Sequence, residues 1–216
     1  MKSDYSWYLL LANISACFVV IPLCIGFARR SYFKIGEKVL LLLMVISTLV
    51  EITSFFIRDR HANNLYVYDI YTVFEFVLLS VFFINVIEER RLIFSIKILI
   101  AFFFGIAALN FFLNGYTSMD NFSTATESIL FILYSTAFFY LLLRNPVSVN
   151  VLATPLFWLN TAILIYFSGS LFLFIFSNYL ELHSPKIYFE LWGIHSILNI
   201  LFYSLISIGF WKTKQQ

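Results

Sequence analysis

Hydrophobic residues in this chain form seven long runs that are separated by short polar segments. A helix crosses the hydrocarbon core of a bilayer with about 20 apolar residues, and each run has roughly that length or more. The runs cover residues 7–28, 37–57, 66–87, 92–113, 123–143, 155–180 and 187–211. The pattern therefore predicts an all-α fold, a single polytopic membrane bundle of seven transmembrane helices that occupies residues 1–216.

The polar separators are short, for example 29–31, 58–61 and 88–91, and leave no room for a soluble domain. Composition agrees with this, because 12% of the residues are charged, against about 25% in soluble domains. The chain contains 27 Phe and 13 Tyr, more than a soluble core of this size could hide. Lipid is therefore the expected solvent for most of the surface. The net charge is only +2 and the basic residues are scattered, so we expect no nucleic-acid partner.

The distribution of Lys and Arg predicts the orientation, because cytoplasmic loops carry an excess of both. With the N-terminus outside, nine basic residues fall on the cytoplasmic side and four on the outer side. The cytoplasmic set is Arg29, Arg30, Lys34, Lys38, Arg90, Arg91, Arg144, Lys212 and Lys214, and the outer set is Lys2, Arg58, Arg60 and Lys186. The expected topology is N-out/C-in, and the fold and orientation predict a multi-pass protein of a plasma membrane.

Several ionisable residues lie inside the apolar runs, where each charge costs about 3 kcal/mol or more without a partner. They are Glu51, Asp69, Glu75, Lys97, Glu127, Glu190 and His195. In the N-out orientation Glu51, Glu127 and His195 lie roughly 6–12 Å from the outer ends of their spans, at 1.5 Å per residue. Glu75 lies near the midplane. The outer half is therefore acidic, whereas the inner half holds little beyond Lys97 and Asn160.

Helical spacing groups these residues with other polar side chains in stripes. The stripes are Ser47, Glu51 and Ser54; Tyr68, Tyr71, Thr72 and Glu75; Glu127 and Tyr134; and Tyr188, Trp192, His195, Asn199 and Tyr203. Facing inward, they would form an acidic, His-containing pocket that is open to the outside and binds a small ligand or cation. The candidate ligand-binding residues are Glu51, Tyr68, Tyr71, Glu75, Glu127, Trp192, His195 and Asn199. The plainer alternative is that these groups only hydrogen-bond neighbouring helices.

Three functions are compatible with such a pocket. The first is a receptor-like sensor that signals to a separate cytoplasmic partner, because the chain has no output domain of its own. The second is a proton- or cation-coupled transporter of small solutes, which the midplane acid and a short likeness between 68–71 and 189–192 favour. The third is an intramembrane metal-dependent hydrolase with Glu75, Glu127 and His195 as ligands. An enzyme is the least favoured, since no nucleophile is evident and no catalytic residue can be named.

Two further features bear on cofactors and packing. The last run, 187–211, contains no lysine, so no retinal Schiff base is expected, and no cofactor can be assigned. The segment Ser168-Gly169-Ser170 is typical either of close helix packing or of a local helix break, and packing is the favoured interpretation. Pro22 is expected to kink the first span.

Four segments carry a resemblance to a known family. They are 68–76, 157–160, 165–169 and 191–199, with sequences YDIYTVFEF, FWLN, IYFSG and LWGIHSILN. In these patterns the chain resembles a family of small, uncharacterised seven-helix bacterial inner-membrane proteins. The resemblance implies a bacterial inner-membrane location. That family is loosely associated with two-component signalling neighbours, which favours the sensor hypothesis. The resemblance implies no activity, cofactor or catalytic residue.

Overall fold

Helices make up nearly all of the described chain. A computed structural model describes residues 6–59, 65–114, 121–144 and 150–213. The helices are α1 (Ser6–Phe18), α2 (Val20–Arg29), α3 (Ile35–Asp59), α4 (Leu65–Val86), α5 (Arg90–Asn114), α6 (Asn121–Arg144), α7 (Pro155–His183) and α8 (Pro185–Lys212). Short 3₁₀ turns at Arg30–Tyr32 and Val151–Ala153 follow α2 and precede α7. The all-α prediction is confirmed for these residues.

Seven segments of the described chain are long and apolar enough to cross a membrane. They are α1 together with α2, and each of the helices α3 to α8. Large apolar side chains such as Phe94, Phe112 and Leu182 are exposed on their surfaces. Such a surface is suited to contact with lipid rather than with water. The seven predicted spans are confirmed as helices of this kind, whereas the N-out/C-in orientation remains a prediction.

The first span is divided into two helices near Pro22. Proline has no backbone N–H, so Pro22 cannot donate to the carbonyl of Phe18, four residues earlier. Helix α1 ends at Phe18, and α2 begins at Val20. The regular pattern resumes where the N–H of Leu23 donates to the carbonyl of Val19 at 3.3 Å. Pro22 therefore interrupts this span, as its position in the sequence predicts.

Helices α7 and α8 begin with proline and are joined by a single residue. Pro155 and Pro185 occupy the first helical positions. Proline is favourable there because its fixed φ suits a helix and that N–H has no helical partner. Ser184 is the one residue between the two helices, so they turn back on each other and pack along their length.

The helices fall into two compact units. The first unit consists of residues 1–32 and 128–216, and the second of residues 33–127. In the first unit, α8 packs against α7, α1 and α2. In the second, α4 packs against α3 and α5. The expectation of one membrane domain remains a prediction.

Glycines bring helices of the first unit close together. A Cβ added to Gly209 of α8 would lie 2.4 Å from Cδ2 of Leu159 in α7, and one added to Gly169 of α7 would lie 2.7 Å from Leu198 in α8. A side chain at either position would collide with the neighbouring helix. Helix α7 continues without interruption through 168–170. The packing interpretation of that segment is therefore confirmed, and the helix break is not observed.

Aromatic rings fill the core of the second unit. The rings of Phe76 in α4 and Phe103 in α5 are stacked, with centroids 3.7 Å apart, and both side chains are fully buried. Other fully buried side chains of this unit come from α3 and α4: Leu40, Leu43, Met44, Leu79, Phe82 and Phe83. This apolar core holds α4 in a fixed position next to α3 and α5, which matters for the polar groups that α3 and α4 share.

Candidate functional site

A chain of hydrogen bonds in the second unit ends on a buried carboxyl group. The hydroxyl of Tyr71 donates to Oε1 of Glu75 at 3.0 Å. The same hydroxyl lies 2.9 Å from Oγ of Ser47, and Ser47 donates to the carbonyl oxygen of Leu43 at 2.9 Å. We call these four groups, in the order Glu75, Tyr71, Ser47 and Leu43, the Glu75 relay.

Helical spacing on two helices produces this arrangement. Tyr71 and Glu75 are four residues apart in α4 and therefore share one face. Ser47 follows Leu43 by four residues in α3, the spacing at which a serine hydroxyl reaches a helix carbonyl. The long Tyr71 side chain joins the two helices. The predicted stripe is thus confirmed for Tyr71 and Glu75, and Ser47 comes from the stripe predicted on the preceding span.

Glu75 is buried, with 7% of its surface exposed. An ion pair joins Lys186 and Glu190 at 3.9 Å in the first unit, at the beginning of α8. No described Lys, Arg or His nitrogen lies within ion-pairing distance of Glu75. Its polar partner is therefore a hydroxyl group and not a cation, which is an unusual environment for a carboxyl group in a membrane-spanning helix.

A second polar cluster lies in the first unit and is centred on an imidazole. Oγ of Ser170 is 3.2 Å from Nδ1 of His195. Three aromatic rings surround the imidazole, with centroid distances of 5.3 Å for Trp192 and 5.6 Å for both Tyr166 and Phe174. We call these five residues the His195 cluster.

Two helix faces form the His195 cluster. Tyr166, Ser170 and Phe174 follow one another at four-residue spacing on α7, and Trp192 and His195 are three residues apart on α8. The sequence predicted the two residues of α8 but missed the three of α7. The four-residue spacing on α7 was the signal that could have revealed them, because it places all three on one face.

The other predicted ligand-binding residues are placed on their helices as follows. Glu51 is half-buried in α3, and Asn199 is half-buried one turn after His195 in α8. Glu127 is buried in α6. The carbonyl of Tyr68 accepts a hydrogen bond from Thr72 at 3.1 Å. Their role in binding a ligand remains a prediction. The eight predicted residues are divided between the two units, so the single pocket remains a prediction as well.

No family model, curated protein or solved structure matches this chain. The resemblance to seven-helix bacterial membrane proteins therefore rests on the four quoted segments alone. The chemistry of the two clusters is what bears on the function of this chain.

Metal binding and hydrolysis receive little support from the described residues. They include no group of three His, Cys, Asp or Glu side chains arranged to hold a metal ion. The ligand set Glu75, Glu127 and His195 draws on both units and remains a prediction. The contact between Ser170 and His195 has the atoms of a nucleophile–base pair. However, Ser170 is fully buried in the middle of α7, where the backbone N–H groups are used within the helix and cannot stabilise an oxyanion.

The Glu75 relay has a different chemical capability. Its carboxyl group and two hydroxyl groups can each donate or accept, so a proton gained or lost at Glu75 changes the direction of the hydrogen bonds along the relay. Among the described groups, this relay is the one best suited to respond to a proton.

Proposed function

We propose that this protein is a membrane-embedded sensor in which the Glu75 relay takes up and releases a proton or another small cation, and that the change is passed to a separate cytoplasmic partner. The observation that carries the proposal is the relay itself. Contacts of 3.0, 2.9 and 2.9 Å join a buried carboxyl group to a backbone carbonyl through two hydroxyl groups.

Counting protons supports a neutral Glu75 in this arrangement. The relay has three oxygen–oxygen contacts of hydrogen-bond length. If Glu75 is ionised, Tyr71 and Ser47 supply only two protons between them, so one contact has none. If Glu75 carries a proton, the hydrogen bond between Tyr71 and Glu75 can reverse, so that Glu75 donates to Tyr71, Tyr71 to Ser47, and Ser47 to Leu43. Each contact then has one proton.

The apolar surroundings support the same state. A carboxylate inside a membrane-spanning helix costs about 3 kcal/mol or more unless a cation compensates for it. Glu75 is 7% exposed, and no described cation lies within ion-pairing distance of it. A proton, or a cation that enters from outside, removes this cost, so the occupancy of the site follows the concentration of that ion.

The end of the relay suggests how occupancy affects helix α3. When Glu75 loses its proton, Tyr71 donates to the carboxylate. Ser47 has a single hydroxyl proton, which it can then donate either to Tyr71 or to the carbonyl of Leu43. A serine that donates to a carbonyl four residues earlier bends a helix slightly. Loss of the Leu43 contact therefore changes the local geometry of α3. This link from a proton to a backbone favours a sensor over a transporter.

We also propose a bacterial inner-membrane location with the N-out/C-in orientation. The bias of basic residues, nine against four, supports the orientation. The resemblance of four segments to bacterial inner-membrane proteins supports the location. In this orientation Glu75 lies near the midplane, and the acidic outer halves of the spans provide an approach for the ion.

Hydrogen–deuterium exchange of the intact protein in nanodiscs, measured over a range of pH, tests the proposal. We expect the protection of the 43–47 segment of α3, which is the intrinsic exchange rate at each pH divided by the observed rate, to depend on pH. Glu75→Gln keeps a neutral side chain that forms hydrogen bonds but cannot ionise, so the protection of this segment should not vary with pH. Glu190→Gln is the matched control, because Glu190 is half-exposed and paired with Lys186. In Glu190→Gln the 43–47 segment should show the same dependence on pH as in the wild type.

Two results would contradict the sensor. If the pH dependence of α3 persists in Glu75→Gln, another group is responsible for it. If the protein in sealed vesicles moves protons across the membrane and Glu75→Gln stops that movement, the protein is a transporter.

A further inference from the structure

Two cations lie over aromatic rings at one end of the first unit. The guanidinium carbon of Arg29 is 4.6 Å from the ring centroid of Trp211 and 5.9 Å from that of Tyr32. The ammonium nitrogen of Lys212 is 5.6 Å from the ring centroid of Trp158. Trp211 and Lys212 are adjacent in the sequence, so the two cation–ring contacts are neighbours at the end of α8. We call Arg29, Trp158, Trp211 and Lys212 the basic–aromatic cluster.

Three helix ends hold this cluster. Arg29 is the last residue of α2, Lys212 is the last residue of α8, and Trp158 lies in the first turn of α7. The indole N–H of Trp158 donates to the carbonyl of Leu152 at 2.8 Å, which fixes the ring. The close approach of α7 and α8 at Gly209 lies about one turn away. The cations are therefore presented from a well-packed part of the unit.

Neither cation is neutralised by a described acidic group. No carboxylate among the described residues lies within ion-pairing distance of Arg29 or Lys212, and the ion pair Lys186–Glu190 belongs to the opposite end of α8. Contact with an aromatic ring stabilises a cation but does not cancel its charge. Two positive charges thus remain at the ends of membrane-spanning helices, where lipid head groups lie.

We infer that the basic–aromatic cluster binds the phosphate of an anionic phospholipid such as phosphatidylglycerol. Guanidinium and ammonium N–H groups are strong donors to phosphate oxygens. Trp211 is 62% exposed, and an exposed indole at this level packs against the glycerol and upper acyl region of a lipid. In the proposed orientation the lipid belongs to the cytoplasmic leaflet, which is the more anionic surface that basic clusters recognise.

Native mass spectrometry of the intact protein in mild detergent measures this binding directly. We expect phosphatidylglycerol to bind more tightly than phosphatidylcholine. The double variant R29Q/K212Q should bind phosphatidylglycerol about 30-fold more weakly, since each cation near a lipid surface contributes about 1 kcal/mol and 1.4 kcal/mol is tenfold. Trp211→Leu keeps both charges and removes one ring, so it should lose part of the affinity.

Arg144→Gln is the matched control. Arg144 is an exposed cation at the end of α6, on the same predicted side of the membrane, and the structure assigns it no ring contact among the described residues. This variant should bind phosphatidylglycerol as the wild type does. Circular dichroism checks that every variant retains its helices, which shows that a reduced affinity for the lipid is not caused by unfolding.

Three outcomes would overturn the inference. If R29Q/K212Q and Arg144→Gln lose the same affinity for phosphatidylglycerol, the lipid is attracted to any positive charge and not to this cluster in particular. Equal affinity for phosphatidylglycerol and phosphatidylcholine would show that anionic head groups are not recognised. Displacement of the lipid by an equal concentration of inorganic phosphate would make this a phosphate site and not a lipid site.

Discussion

The two units hold their buried polar groups in different ways. In the second unit, the hydroxyl groups of Tyr71 and Ser47 connect the carboxyl group of Glu75 to the backbone of α3. In the first unit, His195 has one hydroxyl contact with Ser170 and is otherwise surrounded by aromatic rings. A proton at Glu75 therefore affects several hydrogen bonds, whereas the His195 contact ends at a single serine.

The two clusters also differ in how closely the helices around them pack. Glycines allow α7 and α8 to touch closely at two places, at Gly169, which adjoins Ser170 of the His195 cluster, and at Gly209. Helices α3 and α4 of the second unit also pack through buried apolar side chains, but at the relay itself they are joined by a hydrogen bond between side chains. Close steric contact resists movement, and a hydrogen bond can be exchanged at little cost. The comparison favours the Glu75 relay over the His195 cluster as the place where the proposed response to an ion begins.

The largest effect should come from filling a glycine contact of the first unit. In Gly209→Ala the new Cβ would lie 2.4 Å from Cδ2 and 2.7 Å from Cγ of Leu159, so the whole Leu159 side chain has to shift in the contact between α7 and α8. We expect a loss of about 1–3 kcal/mol in the free energy of unfolding. Gly105→Ala in the second unit is the control, because nothing lies within 4 Å of its new Cβ. Unfolding in sodium dodecyl sulfate measures both, and equal stabilities would disprove the difference in packing.

Removing the bridging hydroxyl of the relay should have the next largest effect. Tyr71→Phe breaks the contacts with Glu75 and Ser47 and leaves a buried carboxyl group without this hydrogen-bond partner. We expect a loss of about 1–2 kcal/mol, at the upper end for hydrogen bonds within membranes. Tyr140→Phe, at an exposed position of α6, should be neutral in the same unfolding measurement. If both variants have the same stability, the relay contributes nothing to the fold.

The smallest effect should come from the corresponding hydroxyl of the first unit. Ser170→Ala removes the contact with Nδ1 of His195, but the three rings around the imidazole remain. We expect a loss of about 0.6 kcal/mol, the average for hydrogen bonds between membrane helices. A loss as large as that of Tyr71→Phe would show that the two clusters are equivalent and would invalidate the comparison.

The sequence predicted the helices well because length and hydropathy determine them locally. It also predicted that Tyr71 and Glu75 share a face, since four-residue spacing on one helix needs no knowledge of neighbours. It did not predict that Ser47 would meet Tyr71, or Ser170 meet His195. Both contacts depend on which helices are adjacent, and periodicity does not contain that information. Because Ser170 is small, the sequence favoured a packing interpretation for it and did not indicate its contact with His195.

Infrared difference spectroscopy of the intact protein in nanodiscs tests the central claim most directly. If Glu75 carries a proton in the relay, the wild type has a carboxylic-acid C=O band at neutral pH that Glu75→Gln lacks and Glu190→Gln retains. The band should shift in Tyr71→Phe, because that variant removes the hydrogen-bond partner of the acid. Identical spectra for the wild type and Glu75→Gln in this region would show that Glu75 is ionised, and the proposed relay mechanism would be wrong.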